Sequence, residues 1–297
     1  MRGGRETEPK NFCFFRARCI EFAHRFVYNV YNYQAVEVHV RLRHWSGGAR
    51  LSQVLSVVSG KGGTGKTSIC AGVACCLAQQ GMRVLCMDLD VGLRNLDISL
   101  GMSTEPVLPF TSVMRGEYGL ERAAAHPSIT GLYLLTAPVT ETAESLEQES
   151  DAFGALIAQA SAVFDWILLD APAGIGAGFR LATRYATQTM VVSGADPASL
   201  RDAARATDVL LYEHPIEARL AVNRISTKLF SRMQATVDDV MDGVGLPLIG
   251  IVPEDSSVTL AAAAGVPLVS FTARGASRAC RNIAYRLCEK KTPLMRL

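Results

Sequence analysis

The chain has 297 residues, of which 49% are hydrophobic and 20% charged, and its formal net charge is +2. Residues 1–50 carry nine Lys or Arg against four Glu, a local charge of +5, so the rest of the chain carries −3. A body with that charge does not indicate a basic groove for nucleic acid, and we expect no nucleic-acid partner.

Residues 1–50 differ in composition from the rest of the chain. They hold nine of its 21 aromatic residues and three of its five histidines. They contain neither the uninterrupted apolar stretch of a signal peptide nor a segment long enough to span a membrane. We predict that they form an atypical extension that is disordered or not native to the protein. The alternative is a partner-binding or membrane-touching surface made of its aromatic side chains.

The remaining chain is predicted to form one domain over residues 51–291, followed by a short tail over residues 292–297. Its apolar runs are mostly separated by segments of helix length, which predicts an α/β fold: a mostly parallel, twisted sheet with helices on both faces. The predicted strands lie at 53–59, 83–87, 132–137, 166–169, 189–193, 219–222, 247–252 and 267–271.

The first strand leads into the glycine-rich sequence GKGGTGKT at 60–67, and then into a helix predicted over 68–79. Glycines let such a loop turn tightly and aim successive N–H groups at a polyphosphate. Lys66 supplies charge to the phosphates, and the Thr67 hydroxyl is placed to bind Mg²⁺. This context predicts a P-loop nucleotide site; a loop that only caps a helix is the alternative. The predicted binding residues are Gly60, Lys61, Gly62, Gly63, Thr64, Gly65, Lys66, Thr67 and Ser68.

A second lysine, Lys61, follows the first glycine of this loop, where an ordinary P-loop needs none. The string KGGTGKT resembles the deviant Walker A motif of the ParA/MinD family of ATPases. The resemblance implies that Lys61 is catalytic and reaches across a dimer interface to the phosphates of the partner's nucleotide. The alternative for this residue is a solvated lysine on a loop.

Two carboxylates end the strand in RVLCMDLD at 83–90. Alternation along a strand sends Asp88 and Asp90 to one face at its carboxyl end, the edge where ligands bind in open α/β sheets. Beside a Mg-polyphosphate they suit metal-linked and water-orienting roles, and a solvated acidic turn is the alternative for either alone. The sequence DLDVGLRNLDISLG is similar to the MinD branch of the family, which implies that Asp90 positions the attacking water. Asp88 is then the metal-linked acid.

A third acid ends the apolar strand in FDWILLDAPAG at 164–174. Asp170, at this place in the order of motifs, is expected to hold the hydration shell of Mg²⁺. The predicted metal residues are thus Thr67, Asp88 and Asp170. The glycines that follow, at 174, 176 and 178, suit a switch segment whose backbone responds to the γ phosphate.

Two later segments, RLAVNRI at 219–225 and GIVPED at 250–255, also resemble the MinD branch. The resemblance implies that Asn223 and the segment after Pro253 lie near the adenine base. For Asn223 the alternative is a polar cap at the end of a strand.

The eight cysteines contain no CxxC pair. Three of them, Cys70, Cys75 and Cys76, fall on the helix after the P-loop, and Cys86 falls in a strand, which are ordinary core positions. This pattern predicts a reduced, cytoplasmic setting and disfavours the iron–sulfur carriers of the same family.

The carboxyl end departs from the MinD branch, whose members typically finish in a short amphipathic membrane helix. Here a helix predicted over 276–289 places Ala276, Cys280, Ile283 and Leu287 on one stripe, which favours core packing. Only KKTPLMRL follows, and Pro293 interrupts it. Such a tail predicts at most a weak contact with a membrane.

Taken together, the motifs and the resemblance imply a Mg-dependent ATPase that dimerises with ATP and regulates where the cell divides. The implied partners are a division inhibitor of the MinC type and an activator, and the implied location is the cytoplasm, with a peripheral position at the inner face of the cell membrane. Two alternatives stay open. One is a relative that positions another cargo, as ParA-like or flagellar-number ATPases do, and the other is an ATP-binding scaffold without turnover.

Overall fold

The computed structural model describes residues 51–226, Lys228 and residues 236–295. The predictions for residues 1–50 and for the last two residues of the tail lie outside the described residues. Eight strands form one sheet: β1 Gln53–Val58, β2 Val84–Asp88, β3 Ala124–Ala125, β4 Leu132–Leu135, β5 Trp166–Asp170, β6 Gln188–Ser193, β7 Glu217–Ile225 and β8 Leu248–Pro253.

The order of strands across the sheet is β3-β4-β2-β5-β1-β6-β7-β8. All neighbours are parallel except β3 and β4, which pair antiparallel at one edge. Asp170 at the end of β5 is in register with Val57 of β1 and with Asp88 of β2. The carboxyl ends of three central strands therefore meet where the loop after β1 begins, the usual position for a ligand in an open parallel sheet.

Helices cover both faces of this sheet, as predicted. They are α1 Lys66–Ala78, α2 Leu96–Ser99, α3 Phe110–Met114, α4 Ala143–Gln148, α5 Ser150–Ser161, α6 Ala177–Arg184, α7 Pro197–Glu213, α8 Val237–Val244, α9 Ser257–Ala263, α10 Leu268–Phe271 and α11 Gly275–Leu287. Helices α1 and α11 pack in the buried apolar cluster on one face. The cluster on the other face includes Phe153 of α5 and Phe179 of α6.

The strand predicted at 267–271 is wrong. Residues Leu268–Phe271 form the short helix α10, which follows Pro267 and buries Leu268 and Val269. A short apolar run does not by itself distinguish a strand from one buried helical turn, because either form can bury the apolar residues that the run contains. The two-residue strand β3 was not predicted, since its sequence is only Ala124 and Ala125.

The predicted core packing of the last helix and the predicted core positions of four cysteines are confirmed. All four stripe residues of α11 are buried, as are Cys70, Cys75, Cys76 and Cys86. Near the end of α11, the Arg286 guanidinium donates to the carbonyl oxygens of Thr292 and Pro293, which follow the helix. It also donates to the carbonyl oxygen of Ile249 in β8. The chain after the helix is thereby held against the end of the sheet. Among the described residues, no helix has both the length and the apolar character needed to cross a membrane.

Candidate nucleotide-binding site

The loop between β1 and α1 has the backbone form that a phosphate cradle requires. Gly63 and Gly65 have φ of 78° and 84°, in the left-handed region that favours glycine. A Cβ on Gly60 would collide with the backbone carbonyl of Asp202 in α7, and one on Gly65 would collide with the amide of Asn223. The loop therefore turns tightly with other elements packed close against it.

The first turn of α1 carries the charged and hydroxyl groups of the loop. Lys66 begins the helix and is buried, and Thr67 and Ser68 follow it half-buried. Gly65 is the N-cap and has no side chain to accept from the free N–H groups of that turn. These N–H groups, together with Lys66, attract an anion to the N-terminus of the helix.

A buried carboxylate faces this lysine. Asp170 is 0% exposed, and the Lys66 Nζ lies 3.8 Å from its Oδ1. Burial raises the pKa of Asp170 to about 7, against the lowering effect of the Lys66 ammonium. Neither carboxylate oxygen has a hydrogen-bond partner of normal geometry among the described side chains. A buried carboxylate with free lone pairs fits a hydrated Mg²⁺, and the adjacent lysine fits the phosphates that such an ion accompanies.

Asp90 lies at the edge of the same site. It is half-buried at the start of the loop after β2. Burial raises the pKa of its carboxyl, and the Lys66 ammonium lowers it. The fold thus brings Lys66, Asp90 and Asp170 together, as the order of motifs predicted.

Asp88 is placed differently. Its side chain is buried and both of its oxygens accept hydrogen bonds from backbone N–H groups: Oδ1 from Asp90 at 2.9 Å, and Oδ2 from Asn95 and Leu96 at 3.1 Å each. Burial raises the pKa of this carboxyl, and the three N–H donors lower it. Its contacts within the protein are therefore to the loop that carries Asp90; its predicted link to the metal stays a prediction.

Lys61 has a partner within its own chain. Its Nζ lies 3.4 Å from Oδ1 of Asp196, and both side chains are partly exposed. Asp196 is the N-cap of α7 and accepts from the N–H of Ser199. Asp196 was not predicted as a site residue, although Asp-Pro before a helical segment is a recognisable N-cap signal.

A cavity of about 330 Å³ opens beside the loop. Asn223 lies in its wall and donates from Nδ2 to the carbonyl oxygen of Thr64 at 2.7 Å, which ties β7 to the phosphate loop. Pro253 lies on the next strand, β8, in register with Ile225. The residues lining the cavity are Lys61, Gly62, Gly63, Thr64, Gly194, Ala195, Asp196, Ser199, Asn223, Arg224, Ile225 and Ser226. The loop after β6 and the end of β7 were not predicted to contribute, apart from Asn223.

A glycine-rich loop that joins a central strand to a helix, with a buried lysine and a buried acid beside it, defines a P-loop nucleotide-binding domain. Comparison with known proteins agrees: the family model of the CobQ/CobB/MinD/ParA nucleotide binding domain matches residues 55–268. The chain belongs to this family.

Within the family, the chain is similar to septum site-determining proteins MinD. It is 33% identical to that of Synechocystis sp. over 248 residues, which are 82% of this chain and 92% of the relative. It is 31% identical to that of Bacillus subtilis over 246 residues, with the same coverage. Among solved structures, it resembles a chain of the MinC:MinD cell division protein complex from Aquifex aeolicus, with a TM-score of 0.73 and 31% identity over 82% of this chain and 99% of that one. The protein is thus a MinD-like P-loop ATPase.

Proposed function

We propose that the protein is a switch that dimerises when it binds Mg-ATP and separates after hydrolysis to ADP and phosphate. The loop N–H groups and Lys66 bind the triphosphate, and Asn223 and the segment after Pro253 lie on the side of the base. Thr67 and Asp170 hold Mg²⁺, while Asp90 orients the attacking water. Lys61 of each subunit stabilises charge on the nucleotide of the other.

The observation that carries this proposal is the buried pair of Lys66 and Asp170, 3.8 Å apart, with Asp90 within electrostatic reach. A buried carboxylate without hydrogen bonds is costly unless a ligand compensates for it. A bound metal ion would compensate the negative charge of Asp170, and a polyphosphate bound with it would compensate the positive charge of Lys66. Asp90, half-buried beside them, has the polar and partly open setting that a water-orienting acid requires.

The biological output follows from the relatives. The Aquifex aeolicus protein is part of a complex of MinC with MinD in cell division, and the curated relatives determine the septum site. We extend these roles to this chain: it regulates septum placement in the cytoplasm, recruits a division inhibitor of the MinC type and responds to an activator. We also propose a weak contact with the inner face of the membrane through the short tail, in which Leu294 is 47% exposed and Met295 packs partly against the core.

The first experiment measures phosphate release and light scattering of the full chain with Mg-ATP and with Mg-ADP. We expect turnover, and a dimer with ATP only. An Asp90→Ala variant should keep the ATP dimer and lose turnover by about 100-fold or more, the range for removing a proton-handling or water-orienting group. The matched control is Asp242→Ala, which removes an exposed carboxylate of α8 that has no assigned role and should leave turnover near the wild-type rate.

The same measurements separate the alternatives. Wild-type protein that binds ATP without releasing phosphate is a scaffold and contradicts the switch. A Lys61→Ala variant that still dimerises and hydrolyses normally contradicts the role across the interface. Flotation of the ATP dimer with vesicles of anionic lipid tests the membrane contact. An ATP dimer that does not float contradicts a membrane contact of its own. The protein then either reaches the membrane through a partner or positions another cargo, as some relatives do.

A further inference from the structure

One buried carboxylate joins the two ends of the loop that carries Asp90. This loop, residues 89–95, runs from the end of β2 to the start of α2. At its beginning, the N–H of Asp90 donates to Oδ1 of Asp88. At its end, the N–H groups of Asn95 and Leu96 donate to Oδ2 of the same residue. A single side chain thus fixes both ends of the loop.

The loop between these two ends is irregular; besides its own backbone hydrogen bonds, it has an ion pair between Arg94 and Asp97, 3.6 Å apart. Gly92 and Arg94 have φ of 89° and 42°, and for arginine the left-handed region is unfavourable. Leu93 is 68% exposed, so it contributes little apolar burial. The N–H groups of Leu93 and Arg94 both donate to the carbonyl oxygen of Asp90, so the turn itself is built around that residue.

The far end of the loop also depends on Asp88. Helix α2 has only four residues, and its N-cap, Asn95, makes no capping hydrogen bond with its own side chain. Asp88 accepts from the free N–H groups of that first turn and so takes the place of a cap from a distance in the sequence. Leu96, fully buried, anchors the turn beside it.

We infer that Asp88 is a positioning residue for hydrolysis, which acts through Asp90 by holding both ends of the loop after β2. The inference rests on the proposed role of Asp90 as the residue that orients water. In this role Asp88 holds the backbone of the loop through hydrogen bonds, and it does not have to contact the metal. Charged hydrogen bonds to three backbone donors are stronger than neutral ones, and burial at the end of β2 keeps water from replacing them.

The test compares the wild-type full chain with Asp88→Asn, since an amide of the same shape cannot accept from N–H groups on both sides. In the absence of nucleotide, the amides of Asp90, Asn95 and Leu96 should be protected from hydrogen exchange in the wild type. In Asp88→Asn, exchange at Asn95 and Leu96 or at Asp90 should be about tenfold faster or more. With Mg-ATP, kcat should fall while KM for ATP and the Mg²⁺ concentration for half-maximal rate stay within about twofold of wild type.

The matched control is Asp165→Asn. Asp165 accepts from the N–H of Arg83 at the opposite end of β2, at 2.8 Å. This variant removes the same charge far from the loop, and its amide oxygen can still accept that one hydrogen bond. It should leave exchange of the three loop amides and kcat unchanged. A loss of kcat in the control equal to that in Asp88→Asn would overturn the inference.

Two further outcomes would also overturn it. One is an Asp88→Asn protein with unchanged amide exchange and a raised Mg²⁺ requirement, which is the behaviour of a metal ligand. The other, which needs no variant to fold, is rapid exchange of all three amides in the wild type. An absence of ATP turnover would contradict the proposed function. The hydrogen bonds of Asp88 would still be tested separately, because amide exchange is measured without nucleotide.

Discussion

Lys61 and Asp196 form an ion pair within one chain, with 3.4 Å between Nζ and Oδ1. The pair joins the phosphate loop to the N-terminus of α7, since Asp196 is also the cap of that helix. A lysine held in this way is not free to reach the nucleotide of another subunit. In the proposed mechanism, Lys61 must therefore leave Asp196 and contact a phosphate of the partner subunit's nucleotide when the dimer forms.

This exchange predicts the effect of Asp196→Asn. Asparagine caps a helix about as well as aspartate, so α7 should remain intact while Lys61 loses its charged partner. Partly exposed ion pairs contribute about 0–1 kcal/mol each, and the dimer breaks one in each subunit, so we expect the ATP dimer to form at a protein concentration up to about 30-fold lower. Sedimentation with ATP measures this, and Asp242→Asn on the exposed surface of α8 controls for the change in net charge. An unchanged dimerisation constant would show that the pair does not restrain Lys61.

A second prediction concerns the packing of α1 against α11. A Cβ on Gly72 would come within 2.6 Å of the Cys280 Sγ. Alanine gains about 1 kcal/mol over glycine in a helix, but overpacking a core costs about 1–3 kcal/mol, so Gly72→Ala should lower the free energy of unfolding. The combination with Cys280→Ala should recover part of the loss, because it removes the colliding sulfur.

The control for this substitution is Gly243→Ala in α8, where an added Cβ meets no atom within 4 Å. Here only the helix propensity acts, and stability should rise by up to about 1 kcal/mol. Urea unfolding of the four proteins measures the comparison. Equal effects at Gly72 and Gly243 would show that the close approach of the two helices carries no energetic cost.

A third prediction concerns Asp255, which caps two helices at once. Its Oδ1 accepts from the N–H of Ser257 at the start of α9, and its Oδ2 accepts from the N–H of Ala276 in the first turn of α11. Asp255→Ala removes both bonds, and we expect a loss of about 1–3 kcal/mol in the free energy of unfolding. Asp255→Asn, which keeps one acceptor, should lose less. Identical stabilities of the two variants would contradict the double cap.

A fourth prediction is a dependence of stability on pH through His126. Its Nε2 lies 2.8 Å from the carbonyl oxygen of Leu100, and its Nδ1 accepts from the N–H groups of Ser128 and Ile129 at 3.1 Å. These contacts assign the hydrogen to Nε2 of a neutral ring. Burial lowers the pKa of His126, against the raising effect of the Leu100 carbonyl.

Because the folded-state pKa lies below the unfolded value of about 6.5, the unfolded chain binds the proton more readily. The contribution of the neutral ring to stability is complete above that value and is lost as the pH falls through the folded-state pKa. Other groups, such as Asp170 with its raised pKa, titrate in the same window in both proteins, so the measured quantity is the difference in urea midpoint between wild type and His126→Gln. This difference should shift against the wild type as the pH falls from 7.5 to 5. Parallel curves for the two proteins would exclude His126 as the source.

The sequence by itself determined the phosphate loop, the parallel α/β fold and the approximate position of each acid. These features depend on local patterns: a strand, a glycine-rich turn and a helix are adjacent in the chain, and an acid that ends an apolar strand lies at the carboxyl edge of a parallel sheet wherever that strand is placed. The same local patterns account for the core positions of the cysteines and of the stripe on α11.

Only the tertiary structure decided which groups these residues contact. Alternation predicts that Asp88 and Asp90 share a face of one strand, but β2 ends at Asp88 and Asp90 lies in the loop after it. Only the path of that loop brings three N–H groups to Asp88. Lys61 meets Asp196 from 135 residues away in the chain. The helix at Leu268–Phe271 replaces a predicted strand, because a run this short does not distinguish the two forms by its sequence. Contacts of this kind arise from chain segments distant in sequence, which no local pattern encodes.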